Sequence, residues 1–157
     1  MWTFPKALLA LSVLTGSTLL AGGLRLEVGN PAANPEAKAQ QAVLVARITA
    51  CQSPEKTTVV ATAEGIVDGR RRTVPLRVIP LRTPGTFAIT REWPAQGNWV
   101  VKLAATNPDY KDYATGVLVR MDPAGFDWAG VKQLYHAPTS AEVDAVLGSQ
   151  SPVVASR

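Results

Sequence analysis

The residues that could do chemistry in this chain are few. His136 is the only histidine and Cys51 the only cysteine, so a nucleophile, a base and an orienting group would have to gather around one imidazole. That imidazole falls in the C-terminal tail, away from the strands; no G-x-S-x-G elbow occurs, and Ser149 and Ser151 stand near the chain end. The sequence reads as that of a non-enzyme. Cys51 closes an apolar, alternating segment, where a thiol serves as a small buried hydrophobe; exposed, it could couple two chains.

Metal chemistry is as thinly provided. Cys51, Met121 and His136 are the soft or imidazole ligands beyond Met1, and a copper site from them would need three distant segments to converge. Asp109 and Asp112 offer oxygens within Asn107-Pro108-Asp109-Tyr110-Lys111-Asp112. Lys111 between them and the missing Asp-x-Asp-x-Gly regularity point to a turn rather than to the six to eight oxygens of calcium. No Gly-rich strand-to-helix phosphate loop appears. No cofactor, metal or small-molecule substrate is expected.

What remains is surface. Arg70, Arg71 and Arg72 form the one dense basic cluster, and the absence of interleaved aromatics excludes a nucleic-acid platform. Trp128 and Tyr135 are of the types that anchor interfaces. These five are the candidate binding residues. Each has a purely structural reading as well: a solvated hairpin end for the arginines, and for the aromatics a stripe packed back on a sheet, with Trp93 capping one end of the fold.

The N-terminus sets where such a surface would act. Lys6 precedes a stretch from Ala7 to Leu24 without charge, the order of a basic n-region and an apolar h-region. Ala21 and Gly23 fit a signal-peptidase site with cleavage before Leu24. As a helix the stretch spans about 27 Å, slightly short of a bilayer core, so residues 1–23 read as a cleaved signal, with a membrane tether through residues 7–24 as the alternative. Removing Lys6 with the signal takes the net charge from +4 to +3. Either way the rest is exported, to the periplasm or the exterior.

The elements that must position the surface are read from periodicity. The 157 residues make room for one core, and 12 Pro with 12 Gly break the chain too often for a long-helix bundle. Residues 24–41, with Asn30-Pro31 and Asn34-Pro35, read as a flexible spacer. From Ala42 the pattern alternates: Leu44, Ala46 and Ile48 share one side; Val59, Ala61 and Ala63 oppose Thr62 and Glu64; Asp68-Gly69 signals a hairpin. Val74, Leu76 and Val78 continue between Pro75 and Pro80, as an edge or irregular strand. Pro84-Gly85 turns into a strand with Phe87 and Ile89. Trp99, Val101, Leu103 and Ala105 alternate most clearly, with Lys102 outward and Trp99 at the centre of the core, and Val117, Val119 and Met121 end the series. Six strands over residues 42–122 predict an all-β, antiparallel sandwich. Residues 123–157 read as a tail with one or two short helices: Trp128, Val131, Leu134 and Tyr135 recur at three-to-four spacing, and Thr139 and Glu142 form a capping box ahead of Val143 and Leu147, with Gly148 as the C-cap.

The run Pro84-Gly85-Thr86-Phe87, followed by Trp93-Pro94-Ala95-Gln96-Gly97-Asn98-Trp99-Val100-Val101-Lys102-Leu103, resembles small exported bacterial immunoglobulin-like sandwiches of the YtkA-like and FixH-like kind. The resemblance covers roughly residues 42–122. It implies an immunoglobulin-like fold and a binding, accessory or metal-handling role in the envelope. The chain departs from the copper-handling members in having no Met/His-rich motif. The expected function is thus an exported, non-catalytic binding or accessory domain acting on a protein or other envelope component. A small metal-handling domain of copper-chaperone type and an accessory subunit of an envelope enzyme stand as alternatives.

Overall fold

The computed structural model describes residues 23–122 and 125–149. The stretch read above as a signal or membrane tether, up to residue 22, and the tail from residue 150 lie outside the described residues. In chain order the described elements are β1 (Arg25–Gly29), α1 (Pro35–Ala39), β2 (Ala42–Thr49), β3 (Thr58–Val67), β4 (Arg70–Pro75), β5 (Val78–Pro80), β6 (Thr86–Thr90), β7 (Asn98–Thr106), β8 (Ala114–Asp122), β9 (Gly125–Phe126), β10 (Lys132–Leu134) and α2 (Ser140–Gly148). Short 3-10 turns stand at Pro31–Ala33 and Pro54–Lys56.

Two antiparallel sheets face each other. One has the order β1-β2-β6-β5; the other runs β10-β8-β7-β3-β4, with β9 also paired to β8. Strands one, two, six and five in one sheet against eight, seven, three and four in the other is the immunoglobulin arrangement. The fold is an all-β sandwich with one short C-terminal helix. Between the sheets Leu26, Leu44, Ala46, Ala61, Ala63, Ile89, Trp99, Val101, Leu103, Val117 and Val119 form the core, and every alternating set read from the sequence faces it. The hairpin at Asp68-Gly69 is present, with positive φ at both residues (50° and 74°), as a two-residue turn matching the strand twist requires.

Residues 24–41 are not a spacer. Leu24 and Leu26 are buried in the core, and β1 pairs with β2 along five residues, Arg25 opposite Thr49 through Gly29 opposite Val45. The two Asn-Pro pairs initiate helical turns instead of breaking structure: Asn30 Oδ1 accepts from Ala32 N (2.8 Å), and Asn34 Oδ1 from Ala37 N (3.0 Å) ahead of α1. The sandwich therefore begins near Leu24 rather than at Ala42. Val74 to Val78 is also not one strand. Pro75 ends β4, Leu76 turns inward, and the chain crosses to the other sheet as β5.

The segment read as helical from Trp128 to Tyr135 is a turn followed by the short strand β10, with β9 just ahead of it. Phe126 in β9 pairs with Met121, and Leu134 in β10 pairs with Gly116. Val131 packs toward the inter-sheet core whereas Leu134 joins the opposite face of the same sheet, so their spacing mimics a helix while serving two faces. Among the described residues of the tail the one helix is α2. Its Val143 and Leu147 cover Val100, Leu118 and Leu134 on the outer face of the larger sheet, and Ser149, not Gly148, is its C-cap.

Candidate docking surface

The two-residue turn fixes the register of β3 and β4, and with it the fate of the three arginines. Ile66 stands opposite Arg71 and Glu64 opposite Thr73, so Arg71 lies diagonally across from Glu64 on the outer face. Its guanidinium donates to Glu64 Oε2 at 2.6 Å and also pairs with Asp144 of α2. Lys102, on β7 at the other side of Glu64, reaches Oε1 at 2.5 Å. Glu64 is 6% exposed, with Arg71 and Lys102 flanking its carboxylate. Burial alone would push its carboxyl up; hydrogen bonds from Arg71 and Lys102 outweigh that and hold it below the usual carboxylate range. Arg71 is thus consumed within the molecule, as a strap between the β3-β4 hairpin and the helix.

Arg70 and Arg72 differ. They share the opposite parity of β4, are exposed, and take part in no ion pair among the described residues. Among the described residues β4 is the last strand of its sheet, bonded to β3 alone. Two unneutralised guanidinium groups therefore stand on an open strand edge, a geometry suited to carboxylates presented by a partner.

The aromatic candidates lie elsewhere. Trp128 follows β9 on the far edge of the same sheet, four strand spacings or about 19 Å from β4. It is 39% exposed and rests against Phe126, with ring centroids 5.3 Å apart. Asp127 beside it is held by Arg120 at 2.9 Å. Tyr135 is 83% exposed at the other end of that edge. The two rings do not form one stripe, and neither meets the arginines. Trp93 is buried, with the Arg91 guanidinium 5.4 Å from its ring.

The remaining chemistry-bearing side chains are separately engaged. His136 is not away from the sandwich, since its carbonyl lies against Gly116 of β8; its exposed ring sits beside Glu142 (Nε2 to Oε1, 3.5 Å) and the Ala137 carbonyl. Cys51 is half-buried, its Sγ 3.5 Å from the amide of Asn107. That buried amide also donates to Ser53 O and Thr57 Oγ1, both at 2.9 Å, while its Oδ1 accepts from Asp109 N. Asp109 pairs with Lys56 at 2.9 Å, and this hydrogen bond lowers its pKa. Met121 packs against the inter-sheet core. Surface grooves of about 440 to 470 Å³ lie beside Arg77 and Glu92, between Glu27 and Thr86, and under Trp93 and Trp99; none touches the arginine edge.

No protein-family model matches the chain, and neither a curated protein nor a solved structure matches it. Glu64, Lys102 and Asp144 were not among the residues singled out from the sequence. The first was within reach: a carboxylate three positions before the residue that closes a two-residue hairpin turn, with an arginine on the same face of the returning strand, predicts a diagonal ion pair.

Proposed function

We propose that this chain is an exported, non-catalytic immunoglobulin-like binding or accessory domain that docks a protein or other envelope component on the β4 edge through Arg70 and Arg72. The observation that carries this reading is the unequal treatment of three adjacent arginines. Arg71 is neutralised by Glu64 and Asp144, whereas its neighbours keep their charge on an open strand edge. The aromatic pair is less suited, because Trp128 and Tyr135 stand apart and add up to no contiguous anchor area. Export rests on the order of Lys6 and the uncharged stretch after it. The non-catalytic part rests on the one imidazole being engaged by Glu142 and a backbone carbonyl, with no hydroxyl or thiol among its partners in the described residues.

Capture from envelope extract with the purified domain tests the reading. Retention is expected to fall steeply between 50 and about 300 mM salt and to be lost in an Arg70→Gln/Arg72→Gln variant that melts like the parent. Unchanged capture by that variant overturns it.

A further inference from the structure

We propose that the free edge of β4 accepts an extended acidic segment of a partner protein as an additional strand, with carboxylates at alternate positions facing Arg70 and Arg72. This rests on the reading of that edge as the docking surface and names the chemistry of its occupant.

Among the described residues β4 is hydrogen-bonded to β3 on one side only, and Arg70 through Thr73 are exposed, so the other row of N–H and C=O groups is open to a ladder. The edge is held in shape before any partner arrives. The turn at Asp68-Gly69 fixes its start, and the Arg71 strap to Glu64 and Asp144 fixes its face, which limits the ordering cost of binding.

Side chains then select the occupant. Arg70 and Arg72 are two residues apart on one face, about 6.8 Å along the strand, the spacing at which alternate residues of an added strand present their side chains. A second copy of this chain is a poor fit, because two-fold pairing of β4 with β4 sets the arginine rows against each other. An apolar strand would desolvate two guanidinium groups without compensation. A strand with carboxylates two residues apart meets both charges and the open ladder. Charges that guard the edge against other strands thereby admit this one. Pro75 has no N–H to donate, which limits the augmented stretch to about five residues of β4.

The test uses three fluorescein-labelled octapeptides of equal charge: one alternating glutamate with threonine, one with the glutamates in a single block, and one alternating but N-methylated on every second backbone amide. Fluorescence anisotropy is expected to give the alternating peptide at least about tenfold tighter binding than the other two. The Arg70→Gln/Arg72→Gln variant, checked for an unchanged melt, is expected to lose about tenfold or more for the alternating peptide. Equal binding of all three peptides overturns strand addition while leaving the arginine edge as a diffuse anion-docking surface. Binding of the alternating peptide by the variant as tightly as by the parent overturns both readings. No binding of any peptide at millimolar concentration overturns strand addition alone, since envelope capture still tests the docking reading.

Discussion

The indole of Trp99 lies against the backbone of Gly65, its direct cross-strand neighbour: a methyl group at Gly65 would stand 2.5 Å from both Cδ2 and Cε3 of the ring and 2.6 Å from the carbonyl of Asn98. Trp99 is 2% exposed, and its Nε1–H donates to Gln96 O at 2.7 Å, so ring and glycine are fixed against each other from both sides. Only hydrogen at that position lets the ring fill the space between the sheets.

Gly65→Ala is therefore expected to destabilise by about 1 to 3 kcal/mol through overpacking, and Trp99→Ala by about 3 to 5 kcal/mol through the cavity left behind. Because the first change acts largely through the ring that the second removes, the double variant is expected to fall short of the sum. Urea unfolding of the four proteins measures this. Strict additivity would mean that Gly65 is needed for its backbone and not for the indole.

The attachment of α2 is expected to depend on its N-terminus. Thr139 Oγ1 accepts from Glu142 N at 3.3 Å, and Thr139 N donates back to Glu142 Oε2 at 2.9 Å, so two helix-end groups are satisfied reciprocally. Thr139→Ala is expected to cost about 1 kcal/mol and to raise amide exchange across α2 before the strands are affected. Uniform exchange through sheet and helix would instead make α2 part of the global unfolding unit.

How much was legible follows from which signals are local. β7 declared both faces, with Trp99, Val101, Leu103 and Ala105 buried inward and Lys102 outward, because a strand sealed on one side leaves period two in its residues. β1 carries just Leu26 and Val28 toward the core beside Asn-Pro pairs that look like breakers, and its strand character comes from the open edge of β2 that it completes. Val131 and Leu134 produced a false helical spacing by packing on opposite faces of one sheet. In the candidate site, the Arg71 to Glu64 pair follows from hairpin register alone. Asp144 does not, since it depends on where α2 docks, and that is set by Val100 and Leu118 far away in sequence.

One buried hydroxyl offers a stabilising change. Thr86, cross-strand from Arg47 on the outer face of the smaller sheet, is buried with its Oγ1 lacking a hydrogen-bond partner. An unpaired buried hydroxyl costs about 1 to 3 kcal/mol relative to an apolar group of the same shape. Thr86→Val is expected to raise the melting temperature by several degrees, which for a domain of this size corresponds to about 1 kcal/mol. A lower melting temperature would assign the hydroxyl a partner such as an ordered water.

Acid acts on the Arg71 strap through Glu64. Glu64 pays a desolvation cost that would raise its pKa, yet the hydrogen bonds from Arg71 and Lys102 leave it lowered. A carboxyl depressed in the folded state contributes stability that is fully present above its unfolded value of about 4.3 and is lost as pH falls through the folded value. Glu92, Asp109 and Glu142 are shifted in the same direction, so acid unfolding of the parent alone cannot assign the effect; the difference between parent and a Glu64→Gln variant can. At neutral pH the variant is expected to be less stable by about 1 to 3 kcal/mol, below the cost of breaking a fully buried pair because Arg71 and Lys102 keep contact with solvent. As pH is lowered past 4 the two stabilities are expected to converge, since protonation removes from the parent the charge that the variant never had. The same protonation loosens the Arg71 strap, leaving its hold on Asp144 alone. Parallel stability curves from pH 7 down to acid unfolding would place the contribution of Glu64 outside its carboxylate charge and refute the strap as described.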